Sequence, residues 1–131
     1  MSRTVTFLTT AMLLAGLPLA AHAQDHASGA IKTMKTTKGD VLTDANGMTL
    51  YVFDKDAKDT SNCNDDCAKK WPPLNAGASA KADGAFGIVT RKDGTRQWAH
   101  NGKPLYRWQG DKTPGDTTGD GVGGAWHAVR N

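Results

Sequence analysis

The chain has 131 residues and carries 16 lysine and arginine residues against 13 acidic ones, which gives a formal charge of +3. Lysines and aspartates alternate along it, and no basic stretch has aromatic residues interleaved, so nucleic-acid binding is not expected. Every acidic residue is aspartate. Because aspartate favours turns and caps and is a poor helix former, this bias predicts a fold poor in helix.

Residues 1–23 are typical of a secretory signal peptide. Arg3 precedes an apolar run over residues 5–20, which is followed by the small-x-small sequence Ala21-His22-Ala23, and these are the three parts of a cleavable signal. The run is too short to span a bilayer and contains Pro18. We therefore expect cleavage after Ala23, no stable membrane anchor, and a soluble protein in the periplasm or the medium.

The remainder of the chain contains two copies of one unit. The segment Asn46–Asp56 is similar to Asn101–Asp111, at an offset of 55 residues. The same offset, without a gap, aligns Gly39 with Gly94 and Trp71 with Trp126. Such agreement among uncommon residues indicates an internal duplication, which is the sequence signature of repeat architectures.

The duplication divides the chain into a short leader, two repeats and a linker. We expect residues 24–30 to be a flexible leader and residues 31–131 to form a single domain, since this length is too short for two independent cores. Within that domain the repeats span 31–74 and 86–129, and residues 75–85 form the linker between them.

Each copy is predicted to be an antiparallel β-meander, because glycine-containing turns separate its short apolar runs. These turns are Lys38-Gly39 and Asn46-Gly47 in the first copy and Asp93-Gly94 and Asn101-Gly102 in the second, and Asp-Gly and Asn-Gly pairs favour tight hairpin turns. A helical turn is expected over Cys67–Trp71, where Pro72-Pro73 ends it. The fold class is all-β, with the two meanders packed as a small sandwich or open barrel. The predicted strands are Ile31–Thr36, Val41–Thr43 and Thr49–Phe53 in the first copy, and Phe86–Arg91, Arg96–Ala99 and Leu105–Trp108 in the second.

The third strand of each copy carries two aromatic residues on one face, since side chains alternate along a strand. Neither unit can bury this face alone, so we expect the two faces to pack together with Trp71 and Trp126 as a core. The alternative is an exposed aromatic surface that stacks on sugar rings. The four strand residues are Tyr51, Phe53, Tyr106 and Trp108.

These residues also belong to a recurring motif. Tyr51, Phe53 and Asp56 fit the pattern Tyr-x-aromatic-x-x-Asp, and so do Tyr106, Trp108 and Asp111. With this pattern and its Cys63–Cys67 and Trp71–Leu74 segments, the chain resembles the secreted-repeat family whose members are labelled predicted lipoproteins with a Yx(FWY)xxD motif. The resemblance implies an envelope-associated or secreted repeat protein, and it transfers no catalytic residue.

Cys63 and Cys67 are the two cysteines of the chain. In an exported protein they are expected to form a disulfide. The alternative is a dithiol that binds copper or takes part in redox exchange. The neighbouring Asp65 and Asp66 would raise a thiol pKa, which opposes reactivity.

Two further metal hypotheses are open. His100 and His127 are candidates for copper ligands together with Cys63 and Cys67, although no two histidines have a short ligand spacing. The Asp-rich connections after each third strand suggest calcium, but neither fits an EF-hand pattern. The motif aspartates Asp56 and Asp111 are more simply interpreted as turn residues that accept backbone N–H groups.

The sequence contains no nucleophile elbow, zinc-protease motif or phosphate-binding loop. We therefore expect a non-enzymatic envelope module that binds a small ligand or another envelope protein. The alternatives are a periplasmic copper-binding or thiol-redox protein that uses Cys63 and Cys67, and a module that contacts carbohydrate.

Overall fold

The computed structural model describes residues 25–131, so the predicted signal peptide and Gln24 lie outside the described residues. Within this range the chain is all-β apart from one short helix and two 3-10 turns, which confirms the predicted fold class. The strands are β1 (Asp25–His26), β2 (Ile31–Thr36), β3 (Gly39–Asp44), β4 (Tyr51–Phe53), β5 (Phe86–Thr90), β6 (Arg96–His100), β7 (Lys103–Pro104) and β8 (Trp126–Ala128), and helix α1 is Asp66–Lys70.

The strands form three small antiparallel sheets. The first sheet has the order β1-β2-β3 and is formed by the leader and the first repeat, and the second sheet has the order β5-β6-β7 and lies within the second repeat. The third sheet pairs β4 of the first repeat with β8 at the end of the second, so that Phe53 lies opposite Trp126. This pairing differs from a simple meander, because β4 leaves its own repeat to join the other one.

The two repeats meet through reciprocal main-chain hydrogen bonds. The N–H of Tyr51 donates to the carbonyl oxygen of Tyr106 at 2.8 Å, and the N–H of Tyr106 donates back to Tyr51 at 2.9 Å. The same symmetry relates the bonds from Leu74 to Leu105, at 2.9 Å, and from Val129 to Leu50, at 3.0 Å. Each of these hydrogen bonds therefore has a counterpart in which both residues are replaced by those 55 positions away. This relationship defines an approximate twofold axis that passes between the tyrosines.

The register corrects the ungapped alignment of the repeats. Thr33 pairs with Leu42, whereas Ile88, its equivalent at an offset of 55, pairs with Trp98. β3 and β6 are thus related by an offset of 56. The turn that precedes β6 is one residue longer than the turn before β3, and the turn that follows β6 is one residue shorter. The two differences cancel before the motif begins, which restores the offset of 55.

Some predicted boundaries also change. The leader expected to be flexible is packed: β1 pairs with β2, and Ala27 is buried with its N–H 3.2 Å from Asp83 Oδ2. The predicted strand Leu105–Trp108 is not formed: β7 ends at Pro104, and within 105–108 Tyr106 alone forms isolated bridges, to Tyr51 and Pro73. The physical reason is that the chain turns away from β6 at this point in order to pair with Tyr51.

The interior consists of two apolar clusters. One is mainly aliphatic and lies between the two three-stranded sheets. The other is aromatic and lies at the interface of the repeats, beside the reciprocal tyrosine hydrogen bonds. The aliphatic cluster includes Ile31, Leu42, Leu50, Phe86, Trp98 and Leu105. The aromatic cluster includes Tyr51, Cys63, Trp71, Tyr106 and Trp126.

Candidate functional site

The motif tyrosines bind the motif aspartates of the opposite repeat. The phenol of Tyr51 donates to Asp111 Oδ2 at 2.6 Å, and the phenol of Tyr106 donates to Asp56 Oδ2 at 2.7 Å. Both tyrosine side chains are completely buried. Buried polar groups must find partners, and hydrogen bonds to a charged acceptor are the stronger kind. The motif therefore joins the two repeats to each other.

Each motif aspartate also holds the loop that follows it. Asp111 Oδ1 accepts the N–H and the hydroxyl of Thr118, at 2.9 and 2.7 Å. Asp56 Oδ1 accepts the N–H of Asn62 at 2.7 Å. These bonds agree with the interpretation of both aspartates as turn residues, and the cross-repeat phenol bonds add a second role that sequence reasoning missed.

Burial changes the acid–base properties of these groups. Desolvation raises the pKa of Tyr51 far above its ordinary value, and the hydrogen bond to Asp111 raises it further. The pKa of Tyr106 is also raised, mainly by desolvation. Desolvation raises the pKa of Asp56 as well, against the lowering effect of its hydrogen bonds. Both phenols therefore remain protonated at neutral pH.

A column of four aromatic rings passes through the interface. Phe53 stacks on Trp126 with ring centroids 4.2 Å apart, Trp126 stacks on Trp71 at 3.8 Å, and Trp71 packs on Trp108 at 4.1 Å. The approximate twofold axis exchanges the two inner rings and the two outer rings. Both inner rings are buried, whereas Phe53 and Trp108 are half-buried. We call this set the aromatic column.

The tyrosines flank the aromatic column. Tyr51 packs edge-on against Trp71 at 5.4 Å, and Tyr106 packs edge-on against Trp126 at 5.2 Å. Such edge-to-face contacts add to the free energy that burial of the rings provides. The prediction that the aromatic faces pack together as a core is confirmed. The exposed stacking surface that the carbohydrate alternative requires is not formed by the tyrosines.

A buried arginine completes the interface and was missed from the sequence. The Arg91 guanidinium donates to Ser61 Oγ at 2.9 Å, to Gln97 Oε1 at 2.8 Å and to the carbonyl oxygen of Cys63 at 2.6 Å. Ser61 Oγ lies 2.6 Å from the Tyr106 phenol oxygen. No sequence signal identifies Arg91, because the equivalent residue of the first repeat is Thr36.

An open cleft of about 390 Å³ lies beside one end of the aromatic column. One wall is the loop that follows β4, which is fixed by the hydrogen bond from Asp59 N–H to the Gly102 carbonyl oxygen at 2.8 Å. Its lining combines apolar and charged side chains, as in many small-ligand sites. Its lining comprises Val52, Phe53, Asp54, Asp56, Ala57, Lys58, Asn101, Gly102 and Lys103.

A family model described as a secreted repeat of unknown function matches the chain twice, over residues 32–75 and 87–130. The chain belongs to this secreted-repeat family. The two matches are related by the offset of 55 that separates the motifs, so the family unit is the repeat rather than the whole domain. No curated protein and no solved structure matches the chain.

The cysteines of this secreted-repeat protein form the predicted disulfide between Cys63 and Cys67. Cys63 is completely buried beside Trp71, and Cys67 lies in α1. The bridge fixes the Asp-rich loop to the segment that leads into the aromatic column. The two sulfur atoms that a copper-binding dithiol would use as thiolates are therefore joined to each other in the disulfide.

The candidate metal ligands lie apart. His127 Nε2 is 2.8 Å from Asp54 Oδ2, on the exposed side of the sheet that β4 and β8 form. The His100 ring packs 5.0 Å from Phe86. Burial, then the charges of His26 and Lys103, lowers the pKa of His100. Within residues 25–131 no three His, Cys, Asp or Glu side chains are grouped as a metal site requires.

The Asp-rich loops are likewise organised by their own backbone. Asp116 Oδ2 accepts the N–H groups of Lys112 and Thr113, at 2.9 and 3.0 Å. Together with the bonds to Asp56 and Asp111, this arrangement uses carboxylate oxygens that a calcium ion would need.

Among the described residues, no helix is long and apolar enough to cross a membrane.

Proposed function

We propose that this secreted-repeat protein is a non-enzymatic binding module of the periplasm or the medium, and that its ligand occupies the cleft beside Phe53. The observation that supports the proposal most strongly is the composition of the cleft. Val52 and Phe53 supply apolar surface, and the exposed Lys58 and Lys103 supply two cationic groups around it. Ligand sites commonly combine apolar surface with a few polar groups that fix orientation.

The surroundings of the carboxylates favour binding over catalysis. Both oxygens of Asp56 already accept hydrogen bonds, from Asn62 N–H and from the Tyr106 phenol. Asp54 is engaged with His127. A general base must be within hydrogen-bond reach of the proton it removes and free to take it. Beside these two engaged carboxylates, the cleft presents two lysine ammonium groups and apolar surface, which suit an anionic or planar small molecule or a segment of an envelope protein.

The test is an NMR titration of the mature chain with three kinds of probe: a disaccharide, a soluble peptidoglycan fragment and a small aromatic carboxylate. We expect at least one probe to shift the amide signals of residues 52–58 and 101–103 in a saturable manner. Lys58→Ala and Lys103→Ala should weaken that binding. The control is Lys92→Ala, in an exposed turn outside the cleft. Shifts that are absent for every probe, or scattered over the surface, would overturn the proposal.

A further inference from the structure

The aromatic column offers a route for electrons through the interface. Apart from thiols, which are absent here because both cysteines form the disulfide, indole and phenol are the side chains most readily oxidised by one electron, and electrons move readily between rings in van der Waals contact. Three indoles follow one another in the column, with centroids 4.1 and 3.8 Å apart from Trp108 through Trp71 to Trp126. Trp108 is half-buried and therefore reaches the surface.

Each tyrosine beside the column has a proton acceptor in place. Loss of an electron makes a phenol strongly acidic, so its oxidation is easier when a base can take the proton at the same time. The Tyr51 phenol lies 2.6 Å from Asp111 Oδ2, and its ring lies edge-on against Trp71 at 5.4 Å. Because burial raises the pKa of Tyr51, the phenol keeps its proton until the electron leaves.

We propose that this chain is a one-electron relay that carries oxidising equivalents from the surface at Trp108, through Trp71, to Tyr51 and Asp111. The source is a one-electron oxidant in solution, such as a high-potential metal complex or an inorganic radical. This activity is separate from ligand binding in the cleft and does not depend on it.

The transfer is balanced at each step. The oxidant takes one electron from Trp108 and is reduced, and Trp108 becomes an indole radical cation. An electron from Trp71 refills Trp108, and an electron from Tyr51 refills Trp71. The phenolic proton of Tyr51 moves to Asp111 Oδ2, which leaves a neutral phenoxyl radical and a protonated carboxyl group. A thiol or enediol reductant at the surface returns the electron by the same route, and Asp111 returns the proton.

The relay has one entrance because the two ends of the column differ. The residue equivalent to Trp108 in the first repeat is Phe53, whose phenyl ring is much harder to oxidise. Gly119 packs closely against both Tyr51 and Trp108 at this end of the column: a Cβ at this position would lie 2.9 Å from the Tyr51 ring and 3.0 Å from Trp108 Cγ. Its N–H donates to the Tyr51 phenol oxygen at 3.2 Å, a bond that would persist to the phenoxyl oxygen.

The difference between Trp108 and Phe53 at the two ends of the column suggests a conservative variant that removes the entrance. Trp108→Phe places at one end of the column the residue that the chain already tolerates at the other end, and it removes the entrance. Trp98→Phe is the control, because Trp98 is buried in the aliphatic cluster and is not part of the column. The chain has two tyrosines, so a phenoxyl signal must come from Tyr51 or Tyr106.

The experiment is laser flash-quench oxidation of the mature protein with a ruthenium trisbipyridine complex and a sacrificial electron acceptor, followed by transient absorption and freeze-quench EPR. We expect an indole radical that converts into a phenoxyl radical, more slowly in D₂O than in H₂O. Trp108→Phe should reduce the phenoxyl yield to that of Tyr51→Phe, whereas Trp98→Phe should retain it. Near-ultraviolet circular dichroism verifies that each variant is folded.

Two results would overturn the relay. One is an indole radical in the wild-type protein that never converts into phenoxyl. The other is a phenoxyl yield that is unchanged in folded Trp108→Phe, because the oxidant would then reach the tyrosine directly. The isotope comparison uses only the wild-type chain, and equal rates in the two solvents would contradict a rate-limiting step in which the Tyr51 proton moves to Asp111 together with the electron.

Discussion

Tyr51 donates its phenolic hydrogen to Asp111, which lies in the other repeat, rather than to Asp56 of its own motif. Asp56 accepts instead from Tyr106. The motif is therefore satisfied only when two repeats face each other. This reciprocity explains why the tyrosine, the aromatic residue and the aspartate recur together: they supply the cross-repeat donor, an outer ring of the aromatic column and the cross-repeat acceptor.

Loss of one phenol should destabilise the domain. Tyr51→Phe leaves the ring in place but removes a donor from Asp111, whose side chain is buried. A hydrogen bond to a charged group contributes about 2 kcal/mol, so we expect the free energy of unfolding to fall by about that amount. Urea denaturation measures it. In a cycle with Asp111→Asn, additive effects of the two changes would contradict a direct interaction between them.

Removal of the buried Arg91 guanidinium should lower the free energy of unfolding more than Tyr51→Phe does. Arg91→Met leaves Ser61, Gln97 and the Cys63 carbonyl oxygen without their charged donor. At roughly 1 kcal/mol for each of these three buried hydrogen bonds lost, the expected loss in the free energy of unfolding is about 3 kcal/mol. Arg96→Met is the control, because the Arg96 guanidinium donates to three main-chain carbonyl groups of the exposed linker. Equal losses in the two variants would show that burial of Arg91 has no special importance.

Much of the fold follows from local patterns. Trp71 and Trp126 are predicted to pack in the core with the aromatic faces of the third strands, and they form the central pair of the column. The strand Ile31–Thr36 was predicted with its observed bounds. The disulfide followed from the position of Cys63 and Cys67 in an exported chain. In each case the deciding information lies within one short segment or in its comparison with its copy.

The cross-repeat relationships could not be predicted in this way. Alternation along a strand shows that Tyr51 faces inward, but it does not show which carboxylate meets the phenol. Arg91 ends a predicted strand and has Thr36 as its counterpart, so neither periodicity nor repetition marks it as buried. The two-residue strand Asp25–His26 lies in the leader that the sequence predicts to be flexible. Its composition does not mark it as a strand, because it becomes ordered only by pairing with β2.

The disulfide should have a local and measurable effect. Replacement of both Cys63 and Cys67 by alanine opens a very short loop, for which the chain-entropy model gives a loss of about 2 kcal/mol in the free energy of unfolding. Reduction of the wild-type protein opens the same loop and should lower its melting temperature as the double substitution does. The same reductant should leave the double variant unchanged, and a shift in that variant would show that the reductant acts elsewhere.

Stability should decline under mild acid because of His100. Burial, with the nearby charges of His26 and Lys103, lowers its pKa in the folded state. The unfolded chain therefore binds the proton first, and stability is lost as the pH falls through the unfolded value of about 6.5 towards the lower folded value. The decrease in the free energy of unfolding across this range should be smaller in His100→Gln. An identical decrease in both proteins would assign the effect to other groups.

The column should tolerate no extra atom beside Trp108. A Cβ at Gly110 would overlap Trp108 Nε1 and lie 2.9 Å from Cε2. The indole cannot move aside without leaving Trp71, on which it packs at 4.1 Å. Overpacking of this kind costs about 1–3 kcal/mol, so Gly110→Ala should lower the melting temperature and weaken the near-ultraviolet signal of the tryptophans. Gly87→Ala is the control: its Cβ meets no atom within 4 Å, and alanine loses less backbone entropy than glycine on folding. We expect that variant to be neutral or slightly more stable, and the same loss in both variants would show that contact with Trp108 is not the cause.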